Sequence, residues 1–289
     1  MLEMFEVGFM QRAWLAGLIV AVICPLIGSF LVLRRQSMIG DGLGHIAFAG
    51  VAGGVLLGFQ PVLSAAAATV AGALIIERVR NRLDTFSEMV LAIFFYCGMG
   101  LAVVFTSMNR MGGFNLSSIL FGSLITISSS DLWIVAGLGL FACCFTVLFY
   151  RPLQYLTFDE TSARVAGLPA DCLNMWLAVL TALTVALSMR IVGLLLVSAM
   201  MVIPVACALQ TAKSFAGTII GGIMSGIIIV GSGLTLSYYA DLAPGGTIVL
   251  VGTAVFAACC FVSGFGTKMA PPPQTCECKL CEEHEENRQ

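Results

Sequence analysis

The sequence predicts an all-α, polytopic integral membrane protein with about eight or nine transmembrane helices. Three observations carry this. Of 289 residues, 59% are hydrophobic and only 10% are charged, against about 25% charged in an ordinary soluble domain. The mean hydropathy is +0.99. The apolar residues also fall in uninterrupted runs, near the roughly 20 residues that cross a hydrocarbon core as a helix. A transmembrane β-barrel would alternate in polarity along each strand.

Taken in order, the candidate spans are 13–33, 45–60, 61–76, 88–107, 131–149, 172–189, 191–209, 215–237 and 244–265. Gln60-Pro61 breaks the second stretch from the third, because proline opens a helix more readily than it continues one. No cleavable signal peptide is evident in 13–33, which is long and lacks a small-residue cleavage pattern. Residues 2–11, with Leu2, Phe5 and Phe9 beside Glu3 and Glu6, have the pattern of an interfacial helix. Gly53-Gly54, Gly221-Gly222, Gly226, Gly231 and Gly233 suit close helix packing.

Basic residues give the orientation. Arg34 and Arg35 follow the first span, and Arg78, Arg80 and Arg82 follow the third. Arg151 and Arg164 follow the fifth, Lys213 the seventh, and Lys268 opens the tail. With nine crossings these all fall on one side, the cytoplasm, which places the N-terminus outside and the C-terminus inside. Residues 1–269 form the transmembrane domain. The tail, 270–289, is Cys- and Glu-rich, carries five acidic and two basic groups, and is expected to be disordered. No basic patch is present to neutralise nucleic-acid phosphates.

Ionisable groups inside a bilayer are costly, so they point to function. The only histidine in the membrane part is His45, in Gly40-Asp41-Gly42-Leu43-Gly44-His45. Asp41 and His45 are four apart and share one helix face. A carboxylate and an imidazole so placed can bind one divalent metal; equally, Asp41 can cap or orient at a helix start. One pair is too few ligands for a selective site. A symmetric dimer around a pore supplies two of each, a four-coordinate set that suits zinc first and does not exclude manganese. Arg190 reads as an interfacial anchor, and Met200, Met201 and Ser198 are secondary pore candidates. Cys24, Cys97, Cys143, Cys144, Cys172, Cys207, Cys259 and Cys260 read as packing groups. Pro204 should kink its helix, with Ser198 bonding to backbone.

Two other segments stand out. In Tyr155–Pro169, Thr157 or Asp159 can cap a short helix that Gly167 and Pro169 end, giving either an amphipathic connector or a docking helix for a cytosolic partner. In the tail, Cys276, Cys278, Cys281 and His284 offer three sulfurs and a nitrogen, a zinc or copper(I) set; an incidental acidic tail is the alternative.

Three stretches together resemble the membrane permease of metal-ion ABC transporters, which import zinc, manganese or chelated iron. They are Leu31–Arg35 running into Gly40–Gly50, Phe158–Gly167, and Val192–Pro204. The resemblance covers most of residues 10–265 and leaves the tail out. It implies that Asp41 and His45 lie on the permeation path. It also implies that Asp159, Glu160, Ala163, Arg164 and Gly167 belong to a helix coupled to the ATPase. Many members have Ala and Ser where this chain has Gly42 and Gly44. The implied assembly is a permease homodimer with an ABC ATPase subunit and an extracytoplasmic metal-binding protein, in a bacterial-type cytoplasmic membrane. No Gly-x-x-x-x-Gly-Lys-[Ser/Thr] phosphate loop occurs, so ATP hydrolysis is expected on another chain, this chain is not itself an enzyme, and the metal is cargo rather than a permanent cofactor. An ion-coupled secondary transporter is the competing class. It would want several mid-membrane acids, and only Asp41, Glu88 and Asp131 lie near spans. An intramembrane protease would need His-Glu-x-x-His or a second buried aspartate.

Overall fold

The computed structural model describes residues 8–82, 87–108, 122 and 129–262, and all regular structure among them is helical. Eleven helices follow in order: α1 (Gly8–Leu33), α2 (Ile39–Leu56), α3 (Pro61–Arg80), α4 (Ser87–Met108), α5 (Ser129–Leu148), α6 (Tyr150–Phe158), α7 (Glu160–Val165), α8 (Ala170–Val192), α9 (Leu194–Leu209), α10 (Phe215–Ala240) and α11 (Pro244–Val262). Seven are long and apolar enough to cross a membrane. An eighth candidate is the α5 stretch Leu132–Leu148 taken with α6, which bends away from it by 75°. The apolar α9 has 16 residues, about 24 Å of helix, short of a hydrocarbon core near 30 Å. Among the described residues the count is seven, eight if α5 and α6 form one bent span, and nine only if the short α9 is counted as well.

The bundle has two groups of helices. In one, α2 packs on α4 and α3; in the other, α1 packs on α9 and α10, with α11 behind them. Helix α8 joins the groups, touching α3, α2, α9 and α1. Most of α1 is buried, whereas most of α4 and α11 faces outward. Outward apolar residues such as Ile93, Tyr96 and Leu250 suit contact with lipid or a partner.

Several boundaries differ from the sequence expectation. The second span starts at Ile39 rather than 45, so Asp41 and His45 both lie within the helix. Polarity trims an apolar-run reading at its ends, while Gly40, Gly42 and Gly44 let the segment bury beside its neighbours. The third span continues to Arg80 for the same reason. The seventh starts at Leu194, because Gly193 at φ 89° and ψ 158° breaks the chain between α8 and α9, in a region only glycine occupies readily. Of the segment 2–11 read as interfacial, residues 8–11 are the first turn of α1, while residues 2–7, the side chain of Asp131 and the whole tail, with Cys276, Cys278, Cys281 and His284, lie outside what the structure describes.

Candidate functional site

Helix α2 begins without a side-chain cap: Met38 holds the N-cap position and makes no cap hydrogen bond. Asp41 sits in the first turn, where a carboxylate faces the positive end of the helix dipole. It is half-buried, and among the described residues it takes no hydrogen bond or ion pair. His45, one turn further on, is also half-buried. Its ring stands edge-on to Phe95 of α4, with centroids 4.6 Å apart at 80°, and its Nδ1 is buried without a hydrogen-bond partner. Asp41 makes no cap hydrogen bond, and His45 Nδ1 has no local acceptor.

The depth of this pair follows from its neighbours. Ile39 and Leu43 share a small cavity with Leu177 and Thr181 of α8, which lie roughly 10–17 Å along α8 from Ala170 at 1.5 Å per residue. A Cβ built on Gly44 would meet Leu194 and Val185, and one on Gly40 would meet Met201 at 3.3 Å and Ser198 at 3.8 Å. Contacts running from 44 to 194 and from 40 to 198 and 201 make α9 antiparallel to α2. Asp41 and His45 therefore sit in the first turns of α2, packed among α4, α8 and α9, and the cavity beside Ile39 and Leu43 extends to Arg34, Glu77 and Asn174.

Helix α4 approaches this segment at Gly98. A Cβ there would lie 2.9 Å from the Ile46 amide nitrogen and 3.1 Å from the His45 carbonyl carbon, so only glycine lets the two backbones meet. Gly42 is different: a Cβ there would find its nearest atoms, in Leu91 and Phe95, at 3.8 and 3.9 Å, in ordinary contact.

The remaining pore candidates lie on α9, where Ser198 and Met201 pack against Gly40. Met200 and Met201 are both 2% exposed and pack inside the chain. Ser198 donates to the Leu194 and Leu195 carbonyls at 3.4 and 3.3 Å, as expected of a serine near a proline-containing helix. Ser225 of α10 donates to the Pro204 carbonyl at 2.9 Å. Of the cysteines, Cys24 and Cys207 are buried, while Cys97, Cys144 and Cys172 are exposed on the single chain. Arg190 is exposed at the end of α8, and Glu88 is exposed in the first turn of α4. No group of three His, Cys, Asp or Glu side chains suited to a metal occurs among the described residues. One copy thus contributes a pair.

The segment 150–169 forms two short helices at an angle. Asp159, not Thr157, is the cap of α7: it accepts from the Ser162 amide at 3.0 Å and from the Ser162 hydroxyl, which hold its carboxyl below the usual range. Thr157 donates to the Leu153 carbonyl instead. Burial works to raise the Glu160 carboxyl, but a hydrogen bond from Arg164 and the charges of Arg34, Arg80 and Arg164 outweigh it and leave it below the usual range. Arg164 pairs with Glu160 at 2.8 Å and Asp171 at 2.7 Å. These partners raise its own affinity for a proton, with the Glu160 bond the largest cause. Ala163 is fully buried and anchors α7 inward, and Gly167 turns the chain at φ 80°. Tyr155, Phe158 and Val165 are 65%, 65% and 86% exposed, a projecting apolar face that sequence reasoning does not single out.

Sequence reasoning also misses a charge cluster beside this elbow. Arg80 and Glu77, in the last turn of α3, form an ion pair of 2.6 Å whose side chains are 6% and 5% exposed. Their i,i+3 spacing is the available signal, but at a span boundary Arg80 reads as a solvated residue. Arg34 donates from Nη1 to Asn174 Oδ1 at 2.7 Å and from Nη2 to the Leu156 carbonyl at 3.0 Å. Phe215 stacks against Phe30, Tyr150 and Phe158 at 5.4–5.7 Å. The connections 34–38, 149–169 and 210–214 thus share one end of the bundle.

Comparison with known proteins gives one pattern throughout. Residues 6–263 match the ABC 3 transport family. The chain is 36% identical over 252 residues to a protein of Treponema pallidum described as a probable metal transport system membrane protein, covering 87% of this chain and 94% of that one. It is 31% identical over 261 residues to the manganese transport system membrane protein MntC of Halalkalibacterium halodurans, covering 90% and 89%. Its fold is similar to a chain in the structure of PsaBC from Streptococcus pneumoniae in complex with Fab, with a TM-score of 0.79, 26% identity, and 90% and 93% of the two chains covered.

Proposed function

We propose, given that this chain belongs to the ABC 3 transport family, that it is the membrane-spanning subunit of an ATP-driven importer of a divalent transition metal. The observation that carries the reading is the pair Asp41 and His45. Both lie on one helix face inside the bundle, the carboxylate unengaged and the imidazole with a buried, unpartnered nitrogen. Leaving such groups unsatisfied in a membrane protein costs free energy, and a passing dication compensates both.

Two ligands per chain fit a path lined by two copies, so we take the working unit to be a dimer, each protomer giving one carboxylate and one imidazole. ATP hydrolysis is assigned to a separate ABC ATPase, docked on the face that carries Tyr155, Phe158 and Asp159–Gly167. That face is cytosolic under the positive-inside orientation, as is the C-terminus. Metal is delivered from the other side by an extracytoplasmic metal-binding protein. For cargo, the donor set favours zinc, while the MntC relative is named for manganese. The site must hold either ion weakly, because a tight site does not release inward.

The test is uptake of radioactive manganese and zinc by cells carrying wild type, Asp41→Ala or His45→Ala at matched membrane level. Loss of at least tenfold in each mutant, with the ATPase still co-purifying, is the expected result. Near-normal uptake in both removes the pair from the path. The ratio of the two metals in wild type decides the cargo. A lone chain that takes up metal with a proton gradient and no ATPase would instead favour a secondary transporter.

A further inference from the structure

We propose that Arg34 is a positioning residue: it transmits movement of the docking elbow, residues 150–169, to the helix that bears Asp41 and His45. The inference rests on the coupling role proposed above and names the side chain through which it acts.

The guanidinium lies just past the end of α1 and touches two elements far away in sequence, reaching a third through Asn174. Its Nη2 holds the Leu156 carbonyl near the end of α6, and its Nη1 holds Asn174 in the second turn of α8. Asn174, 2% exposed, passes the contact on, because its Nδ2 donates to Glu160 Oε1 at 3.1 Å. Glu160 opens α7 and is also bound by Arg164. One side chain therefore grips both docking helices and the first turns of α8, directly or through one amide. A planar fork serves two acceptors at fixed angles, which an ammonium does not reproduce.

On its other side Arg34 is tied to α2 by a short link that carries several backbone hydrogen bonds. The Arg35 amide donates to the Val32 carbonyl at 3.0 Å, Gln36 to Leu31 at 2.8 Å, Ile39 to Gln36 at 3.0 Å, and Gly42 to Met38 at 3.1 Å. Arg35 adopts φ 58° within this turn, so the link is a defined bend rather than slack chain. A displacement at Arg34 reaches Asp41 through a short stretch of chain with few soft torsions.

The electrostatics agree with a held group. Arg34 and Arg80 are balanced by Glu77 and Glu160, two charges against two. Burial, then the charge of Arg80, pushes Arg34 down to about 10, which leaves it protonated at physiological pH. Desolvating a cation costs stability unless it is paired and hydrogen-bonded. An Arg that only marked the inner rim of the membrane would keep its charge in water.

The experiment uses the complete transporter, with its ATPase and binding protein, reconstituted in vesicles. It reads manganese and zinc imported and ATP hydrolysed for wild type, Arg34→Lys, Asn174→Ala and the double variant. Arg34→Lys keeps the charge and the fold while losing the fork, so it guards against simple unfolding. The expected result is intact assembly, ATP hydrolysis within about twofold of wild type, and at least a tenfold fall in metal imported per ATP for each single variant. The double variant should be little worse than the worse single one, as for groups in one chain of contacts. An unchanged metal-to-ATP ratio in both single variants overturns the assignment. A wild-type complex that imports no metal with ATP overturns the transport reading instead, and Arg34 with it.

Discussion

The sharpest test of the site's construction is a single methyl group at Gly98. Placed there, a Cβ falls 2.9 Å from the Ile46 amide nitrogen and 3.1 Å from the His45 carbonyl carbon. Carbon needs about 3.5–4.0 Å to sit comfortably against such atoms, so α4 and α2 must part by roughly 0.5–1 Å. Neither obstacle can rotate away, because both are backbone. Overpacking of this kind costs about 1–3 kcal/mol, while alanine in place of glycine inside a helix returns about 0.5–1 kcal/mol. The net destabilisation is then about 0.5–2 kcal/mol, which a folded protein survives. The ligands fare worse. Displacement lands on the residue carrying the imidazole, and misplacement near 1 Å at a reacting group costs on the order of a hundredfold.

Gly98→Ala should therefore fold and reach the membrane, lose a few degrees of thermal stability in detergent, and import metal at least tenfold more slowly. Gly42→Ala is the matched control. Its added methyl meets nothing closer than 3.8 Å, so it should gain about 0.5–1 kcal/mol from helix propensity and keep import near wild type. Equal import by both variants, or equal damage in both, would refute the argument that close approach at Gly98 places His45.

Other parts of the molecule carry expectations of their own. Glu77→Gln strands the buried Arg80 charge and should cost about 3 kcal/mol, read as a lowered unfolding midpoint in detergent. Reversing charge at Asp159 and Glu160 together should uncouple ATP hydrolysis from import while the protein still assembles. In wild type, both carboxyls are held below their unfolded values; their contribution is complete above about pH 4 and lost as pH falls through the depressed values. Arg34 loses its charge only as pH rises toward about 10. Between about pH 5.5 and 8.5 these charges do not change, so metal imported per ATP by Arg34→Lys relative to wild type should stay constant across that window, whatever His45 contributes to both, and a step in that ratio would contradict the network. Finally, a peptide of residues 271–289 should bind zinc under reducing conditions if Cys276, Cys278, Cys281 and His284 form a capture set, and a chain stopped at Ala270 should still transport.

What the sequence made legible was whatever departs from a membrane background. A lone histidine four residues from an aspartate is conspicuous among apolar runs, and both residues prove to lie on one buried-side helix. The nine runs became helices with edges shifted by a few residues, because hydropathy falls off before a helix ends. Asp159 as a cap was legible from its type and place. Less visible were features that depend on distant partners. Arg34 is 140 positions from Asn174 and 122 from Leu156, and nothing local distinguishes it from an arginine facing water. Arg80 is hidden in the same way, since a basic residue at a span boundary normally faces the headgroups. Gly193 reads as one more small packing residue, although its backbone angles end one helix and start the next.

The arrangement of charges carries the functional argument further than the ligand pair alone. Two sets of the described acids and bases contrast. Glu77 with Arg80, and Glu160 with Arg34, Asn174 and Arg164, are matched, hydrogen-bonded and gathered at one end. Asp41 and His45 have no such bonds among the described residues, and His45 Nδ1 is buried without a partner. Arg34 has partners on both Nη atoms, and Arg80 is paired with Glu77 through Nη2 although its Nη1 has no partner; Asp41 has no such pairing. Leaving it open keeps a carboxylate and a neutral nitrogen available to a dication without a competing internal cation to displace. Two such pairs facing each other would repel when empty and attract when metal is present, so the ion itself would draw the two copies together. In the proposed dimer, the work left to ATP hydrolysis would be to separate those faces again against that attraction, by pulling on the bonded end through the elbow at 150–169.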